Sequence, residues 1–376
     1  MVQTSAPAEH AVARPPRTVT RRRLLALAGA GVSFGALARP VAAAAVSPAI
    51  IPAGAGRIRL TGAGQLYVLD GDVEGPLEIA APGVSVDGNG YTITPRRNGV
   101  GVDVGRSRGV FLQDLRIVGG RAGVRAQNAR RLGVRDVWIR RSGVGVDAED
   151  ASVRLHNLHV VGTRRSGLRL KDVRARVSAT TVDGCGRRGR ASGVVADTEQ
   201  DLEFRRCLAR DSGRHGFVLD GDDEAALSVW RSGAIDNRGD GFDVEDFTET
   251  ELRCSVALGN GGSGLDVDND GRLTMVRVSA VGNDDHGFEV RSRDPARLFG
   301  TTAFRNRDGN YRLRGPVFRS AVQGPVGGRC APRAVARALH RQALDAESAG
   351  VTGSKPGTGW LDEFETGPEA SPSPTF

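Results

Sequence analysis

Acidic side chains recur at regular intervals in the second half of the chain, and they are the residues best suited to chemistry. Residues 241–245 read Gly-Phe-Asp-Val-Glu and residues 264–268 read Gly-Leu-Asp-Val-Asp, so apolar and acidic residues alternate. In a β-strand this alternation puts the carboxylates on one side and the apolar residues on the other. Grouped carboxylates can act as general acids and bases. Two basic residues, His286 and Arg291, are expected beside these carboxylates. The predicted catalytic residues are therefore Asp220, Asp243, Glu245, Asp266, Asp268, His286 and Arg291.

The same carboxylates could bind a cation, because like charges on neighbouring strands repel one another unless a cation or a proton is shared. Oxygen ligands of this kind suit Ca²⁺. The predicted calcium ligands are Asp243, Asp266 and Asp268. An EF-hand is rejected, since a loop that begins at Asp266 would need Glu at its twelfth position and has Arg277 there. An acidic flank that serves only solubility is the alternative interpretation.

A repeat of about 23 residues must bring these side chains together. Ten glycines from Gly101 to Gly309 recur at intervals of 22 to 26 residues, and four asparagines, Asn237, Asn260, Asn283 and Asn306, are 23 residues apart. Each repeat contains short alternating runs and no helical pattern, which predicts a solenoid of about ten β-coils. A buried amide needs a hydrogen-bond partner, and stacked identical amides bond to each other. We therefore expect the asparagines to form a buried ladder, with Cys185 in the same register.

Stacking of the coils converts the repeat into columns of side chains. The expected interior column is Phe217, Phe242, Leu265 and Phe288. One exterior column is expected to contain Val218, Asp243, Asp266 and Glu289. A second exterior column is expected to contain Lys171, Asp197, Asp220, Glu245, Asp268 and Arg291. His215 and His286 each precede a glycine, in a register that they share with Asp240.

The opening coils carry a family resemblance. Residues 86–93, Val-Asp-Gly-Asn-Gly-Tyr-Thr-Ile, resemble the first coils of proteins in the pectate-lyase-like superfamily, and the Asn-then-Gly repeats that follow are similar to its repeat unit. The resemblance covers roughly residues 60–325 and implies an all-β fold, a right-handed, single-stranded parallel β-helix. It implies no single activity, since these coils serve lyases, hydrolases, epimerases and adhesins.

The catalytic motifs of the superfamily are not matched. Polygalacturonases carry Gly-His-Gly, whereas this chain has Arg214-His215-Gly216 and Asp285-His286-Gly287. Mannuronan epimerases carry Asp-Pro-His, and the nearest string here, residues 284–286, lacks the proline. Pectate lyases carry Trp-Ile-Asp-His, and residues 138–140 read Trp-Ile-Arg. No catalytic role is carried over from these families.

The charge is distributed unevenly along the predicted solenoid. Residues 96–210 hold 25 Lys and Arg against 12 Asp and Glu, whereas residues 211–271 hold 4 against 15. A basic half favours a polyanionic partner, and Arg125, Arg169 and Lys171 are predicted to bind an acidic polysaccharide or cell-wall glycan. Nucleic acid is disfavoured, because the basic half has no interleaved aromatic residues.

The ends of the chain differ from the repeats. Residues 20–25, Thr-Arg-Arg-Arg-Leu-Leu, resemble a twin-arginine export signal, and we expect residues 1–45 to be that signal and the protein to be secreted as a monomer without a membrane span. Residues 46–328 are assigned to the β-helix. A short capping helix is predicted within 329–349, with a proline in its first turn, and residues 350–376 are predicted to be a disordered tail.

Three functions remain open from the sequence. The first is a secreted carbohydrate-active enzyme that acts on an acidic polysaccharide by elimination, hydrolysis or epimerisation. The second is a glycan- or cell-surface-binding protein without turnover. The third is an exported helper for metal or cofactor assembly, which predicts metal-dependent protection of the acidic coils.

Overall fold

The chain folds as a parallel β-solenoid of about 11 turns, which confirms the predicted all-β fold class. The computed structural model describes residues 47–186, 191–222 and 224–320. Every strand pairing within these ranges is parallel, and they contain no helix. The opening runs predicted near residues 67, 77 and 84–93 are strands, and they add to the coils counted from Gly101 onward.

Three faces make up each turn, and each face is a column of parallel strands. The first face contains Ile58–Leu60, Leu77–Ile79, Val100–Asp103, Ala122–Gln127, Val194–Asp197, Phe217–Asp220, Phe242–Glu245, Leu265–Asn269, His286–Ser292 and Gly309–Arg314. The second contains Ala49–Ile51, Leu66–Leu69, Ser85–Asp87, Leu202–Arg205, Ala226–Trp230, Glu249–Arg253, Arg272–Val276, Ala296–Phe299 and Val317–Ser320. The third contains Thr92–Ile93, Thr181–Asp183, Leu208–Arg210, Gly233–Ile235, Val256–Leu258, Ser279–Val281 and Thr302–Phe304.

Four long strands run through more than one face. Phe111–Val118 and Leu132–Arg140 belong to the second and third faces, and Leu168–Ser178 belongs to the first and second. Val144–Val161 passes through all three. In the middle of the solenoid, these strands therefore continue around the corners between neighbouring faces.

The core lies inside the coil and contains the predicted interior column. Phe217 pairs with Phe242, Phe242 with Leu265 and Leu265 with Phe288, and all four side chains are fully buried. Phe217 and Phe242 stack with ring centroids 4.8 Å apart. Tyr311 extends this column by stacking on Phe288, and its half-buried ring packs against the core.

The corner between the second and third faces is made by one residue per turn in the left-handed conformation. These residues have φ between 50° and 55°, and most of them are not glycine: Asp114, Asp136, Asn157, Ala179, Arg206, Arg231, Cys254 and Arg277. Left-handed backbone is uncommon outside glycine. Its recurrence at one place in the repeat shows that the corner, rather than the residue type, imposes the conformation.

Glycine is required at the start of the first face by close approach between turns. A Cβ on Gly264 would lie 2.6 Å from the Gly287 carbonyl oxygen and 2.8 Å from both Ala280 Cβ and Asn283 Nδ2. Gly241 meets the corresponding atoms of the turn before. The repeated glycines in the sequence therefore mark the positions at which the asparagine ladder and the third face approach the first face too closely for a side chain.

The asparagine ladder is present as predicted. Asn237 Nδ2 donates to Asn260 Oδ1 at 2.9 Å, Asn260 to Asn283 at 2.9 Å, and Asn283 to Asn306 at 2.8 Å. Each Oδ1 also accepts a backbone N–H from the preceding turn. Backbone hydrogen bonds place Cys185 in this register, one turn before Ser212. Cys185 is fully buried, as expected.

Several predicted segments lie outside the residues that the structure describes. They are the targeting segment 1–45, the capping helix within 329–349 and the tail 350–376. Across the described ranges there is no helix of the length and hydropathy needed to cross a membrane.

Candidate functional site

The two predicted exterior columns exist on the first face. Val218, Asp243, Asp266 and Glu289 pair in succession, and their side chains point away from the buried residues that alternate with them. Beside them stands the second column, which runs Lys171, Asp197, Asp220, Glu245, Asp268 and Arg291. The predicted carboxylates of both columns therefore lie on three consecutive turns, from Asp220 to Asp268.

Asp266 and Asp243 are the half-buried carboxylates at the centre of this site. Burial raises the pKa of Asp266 to about 6; Arg291 opposes the rise and neighbouring carboxylates reinforce it. Burial also raises the pKa of Asp243, with His215 opposing and Asp240 reinforcing the effect. A carboxyl that is partly protonated near neutral pH can serve as a general acid.

Two carboxyl groups of the second column, Asp220 and Glu245, follow the same trend. Burial, followed by the charges of neighbouring carboxylates, raises the pKa values of Asp220 and Glu245. Glu245 and Asp268 are exposed. These side chains form the rim of the site rather than its floor.

Arg291 supplies the positive charge of the site. Its Nη2 lies 3.2 Å from Asp266 Oδ1 and 3.5 Å from Glu289 Oε1, and its Nε lies 3.4 Å from Asp268 Oδ2. Arg312 Nη1 also contacts Glu289, at 3.2 Å. One guanidinium is thus shared by three carboxylates, which leaves the cluster with excess negative charge.

A His215–Asp240 pair adjoins the column and was not among the predicted site residues. His215 Nδ1 lies 2.8 Å from Asp240 Oδ2 and 3.9 Å from Asp243 Oδ2. Ser263 N–H donates to Asp240 Oδ1 at 2.6 Å and fixes the carboxylate. Burial works to raise the pKa of Asp240, but the hydrogen bond and charge of His215 outweigh it and hold that pKa below its ordinary value. The signal was present in the sequence, because both residues immediately precede a repeat glycine in consecutive turns.

His286 occupies the same register two turns after Asp240 and was predicted as catalytic. Its Nδ1 lies 3.8 Å from Glu289 Oε2, and its side chain is largely buried. It therefore borders the far end of the carboxylate column, away from the His215–Asp240 pair.

The predicted substrate-binding arginines lie on the same face several turns earlier and are ion-paired. Arg125 Nε donates to Asp103 Oδ1 at 3.1 Å, and Arg169 Nε donates to Asp147 Oδ1 at 2.7 Å. Both hydrogen bonds raise the pKa of the arginine. Lys171 is exposed and stands between Glu149 and Asp197 in its column. The charges of Arg125 and Arg169 are therefore compensated within the protein.

Two sets of residues could bind a metal ion. The predicted calcium ligands Asp243, Asp266 and Asp268 lie on adjacent turns, but Arg291 already contacts Asp266 and Asp268. His215, Asp240 and Asp243 bring possible ligand atoms within 4.8 Å of one another. His215 Nδ1 also lies 3.0 Å from the Asp240 backbone nitrogen and 2.8 Å from Asp240 Oδ2, so a metal at Nδ1 would have to displace these contacts.

The comparison with known proteins identifies no family for this chain. No family model matches it, and neither does a curated protein. Solved structures give matches at low identity. One is the catalytic domain of a GH87 α-1,3-glucanase in complex with nigerose, at 13% identity over 73% of this chain, with a TM-score of 0.48.

Two further matches are the mannuronan C-5 epimerase AlgE4 A-module of Azotobacter vinelandii and the periplasmic alginate epimerase AlgG. The identities are 15% and 12%, each over 73% of this chain and over 91% and 78% of those chains, with TM-scores of 0.42 and 0.37. This chain spans 64% of the glucanase domain's length. At these identities and scores the matches carry no argument about the activity of this chain, so its function must be argued from its own side chains.

Proposed function

We propose that this protein is a carbohydrate-active enzyme of the pectate-lyase-like superfamily that cleaves glycosidic bonds of a polysaccharide. Asp243 and Asp266 supply the two carboxyl groups that take part in the cleavage. The observation that carries the proposal is the raised pKa of both groups on adjacent turns of the exterior column. An open face that runs along the stacked turns is suited to a long polymer, and glycosidic cleavage needs two carboxyl groups placed about the bond.

The environments of the two carboxyl groups favour different roles. Asp266, with the pKa of about 6, is the general acid that donates a proton to the glycosidic oxygen. Asp243 is the second carboxylate, and His215 opposes the rise in its pKa and so favours its ionised form. Paired positions on neighbouring strands are about 4.8 Å apart. This spacing is close to that of retaining enzymes, in which the second carboxylate is the nucleophile.

Hydrolysis is supported better than uronate elimination or epimerisation. Those reactions need positive charge beside the carboxylate of the sugar, whereas Arg291 is shared among three carboxylates of the site. Arg125 and Arg169 are paired with Asp103 and Asp147. An acidic polysaccharide remains a proposed substrate class if a cation such as Ca²⁺ joins the cluster and neutralises it.

The test is a screen of the purified protein against neutral and uronate polysaccharides, each with added Ca²⁺ and with chelator. Reducing ends report hydrolysis, and absorbance of unsaturated sugars reports elimination. We expect reducing ends from at least one polymer and loss of activity in the Asp266→Asn variant. If no polymer yields reducing ends, unsaturated sugars or epimerised residues, the enzymatic proposal is wrong, and retention on a glycan column would then favour the binding alternative.

We also propose that the chain is secreted by the twin-arginine pathway. The proposal depends on Arg21 and Arg22, which precede a weakly apolar stretch and a run of small residues. Fusion of residues 1–45 to a reporter that is active only outside the cytoplasm tests it. Replacement of both arginines by lysine should abolish export, and continued export would contradict the proposal.

A further inference from the structure

Two arginines meet at the corner between the second and third faces, the corner of the coil that does not border the first face. Arg206 and Arg231 occupy this corner on neighbouring turns, with φ of 55° and 51°. The Arg206 backbone N–H donates to the Trp230 carbonyl oxygen at 2.8 Å, which fixes the register between the two turns. Because neighbouring strands are about 4.8 Å apart, the two arginine side chains leave the backbone close together.

Trp230 orients the guanidinium group of Arg231. The indole lies at an outward position of its strand, between Arg205 of the turn before and Arg253 of the turn after. The guanidinium carbon of Arg231 is 4.7 Å from the centroid of the indole ring, and that of Arg205 is 5.7 Å from it. A guanidinium that stacks on an aromatic ring keeps its N–H donors available at its edges. The stacking therefore positions Arg231 without using its hydrogen bonds.

The charges of Arg206 and Arg231 are not balanced by carboxylates. Among the described residues neither arginine forms an ion pair, and Arg231 Nε has no hydrogen-bond partner. Burial and the charge of Arg206 lower the pKa of Arg231, so the two guanidinium groups are close enough to repel each other. The two acidic residues of the adjoining column, Glu203 and Glu251, contact other arginines. This corner therefore carries excess positive charge on turns whose first face carries excess negative charge.

The geometry favours an oxyanion as the ligand of this corner. Guanidinium groups bind carboxylate and phosphate oxygens through paired N–H donors. A tetrahedral oxyanion presents oxygens in several directions, so it can bridge two guanidinium groups that come from different turns. The two oxygens of a carboxylate lie in one plane and match a single guanidinium.

We propose that Arg206, Trp230 and Arg231 form a binding site for a tetrahedral oxyanion, the sulfate or phosphate group of an anionic ligand. The bound anion relieves the repulsion between the two arginines. The site is separate from the Asp243 and Asp266 carboxylates of the first face, and the proposal is independent of the enzymatic one.

The corner itself suggests substitutions that keep the fold. Asn157 occupies the same corner on an earlier turn, with φ of 53°. Asparagine tolerates left-handed backbone better than most residues do, so Arg206→Asn and Arg231→Asn should leave the corner intact. Arg277→Asn is the matched control, because Arg277 has φ of 54° at the same corner but follows Val276 rather than a tryptophan.

NMR titration of the isotope-labelled full chain with inorganic phosphate and with inorganic sulfate, at constant ionic strength, tests the site. The Trp230→Phe variant identifies the indole N–H signal of Trp230. We expect this signal to shift saturably with at least one anion, while that of Trp138, on an earlier turn, stays in place. Arg231→Asn should weaken the affinity about tenfold, whereas Arg277→Asn should leave it within about twofold.

Further arms of the titration separate the possible ligands. The variant that combines Arg206→Asn and Arg231→Asn should show no saturable shift. Tighter binding of phosphate would assign the site to a phosphate group, and tighter binding of sulfate would assign it to a sulfate group. Acetate that binds as tightly as both would overturn the choice of a tetrahedral oxyanion.

Two results would show that no such site exists. One is the absence of a saturable shift of the Trp230 signal with either anion. The other is an equal loss of affinity in Arg277→Asn and Arg231→Asn, because the anions would then respond only to the net charge of the protein.

Discussion

The exterior column of the first face carries two different charge patterns in the two halves of the solenoid. In the first half acidic and basic residues alternate from one turn to the next: Asp103, Arg125, Asp147 and Arg169. In the second half three carboxylates follow one another: Asp243, Asp266 and Glu289. The scaffold, the spacing and the direction of the side chains are the same in both halves.

The difference separates a surface of paired charges from one whose carboxyl groups have raised pKa values. In the first half, ion pairs between neighbouring turns neutralise this column, with hydrogen bonds from Arg125 to Asp103 and from Arg169 to Asp147. In the second half burial and mutual repulsion raise carboxyl pKa values. Carboxyl groups whose ionisation costs stability, and which are therefore partly protonated near neutral pH, are typical of functional sites.

The largest expected effect is on catalysis. Asp266→Asn removes the proposed general acid and should lower kcat/KM by about 10²–10⁴-fold on the substrate that the glycan screen identifies. Asp147→Asn, at the corresponding position of the first half, should leave kcat/KM within about twofold, since it touches no proposed reacting group. Similar losses in both variants would show that the two halves do not differ in function.

The pH dependence of the reaction should follow the raised pKa of Asp266. The acid must be protonated, so kcat/KM should fall about tenfold per pH unit above about pH 6. Steady-state kinetics in overlapping buffers measure this fall. A profile that stays flat up to pH 8 would exclude Asp266 as the acid.

The two halves should also differ in how much the residue in the asparagine register contributes to the free energy of unfolding. Asn260→Ala leaves buried donors of Asn237 without their acceptor and should lower the free energy of unfolding by about 3 kcal/mol. In the first half Ser142 lies in the same register, and its buried hydroxyl has no hydrogen-bond partner among the described residues. Ser142→Ala should therefore change stability by less than about 0.5 kcal/mol. Denaturant unfolding of both variants compares them, and equal losses would contradict the ladder as the cause.

The smallest expected effect is on stability. Replacing Asp266 and replacing Asp147 should change the free energy of unfolding at pH 8 in opposite directions. The pKa of Asp266 is raised in the folded protein, so its ionisation destabilises the fold as pH rises through about 6. Asp266→Asn should increase the free energy of unfolding at pH 8 by about 1–2 kcal/mol and lose this advantage below pH 4. Asp147→Asn should be destabilising at pH 8, because it leaves Arg169 without its partner. A loss of stability at pH 8 in Asp266→Asn would contradict this assignment.

The repeat in the sequence predicted most of the fold and the columns of the site. Period and alternation determine which residues stack and which side they point to, so the Phe242 and Asp243 columns and the Asn260 ladder were all confirmed. They do not determine how far a long side chain reaches. Hence the sequence did not show that Arg125 turns to Asp103 or that Arg291 is shared among three carboxylates.

Residues in the turns were harder to predict than residues in the strands. His215 and Asp240 were seen to share a register, but their contact depends on the backbone that leads into the glycine, where alternation no longer applies. The last repeat lacks the residue pattern of the others, so the sequence did not place Tyr311 in the interior column. Its stacking on Phe288 became visible only from the register of the final turn.

Direct titration of Asp266 tests the central claim without any knowledge of the substrate. Carboxyl carbon chemical shifts of the full chain, assigned to Asp266 by comparison with Asp266→Asn, are followed by NMR from pH 3 to pH 9. We expect a midpoint of about 6 for Asp266. A midpoint near the ordinary aspartate value of about 4 would contradict it, because the second half of the column would then be a solvated acidic flank.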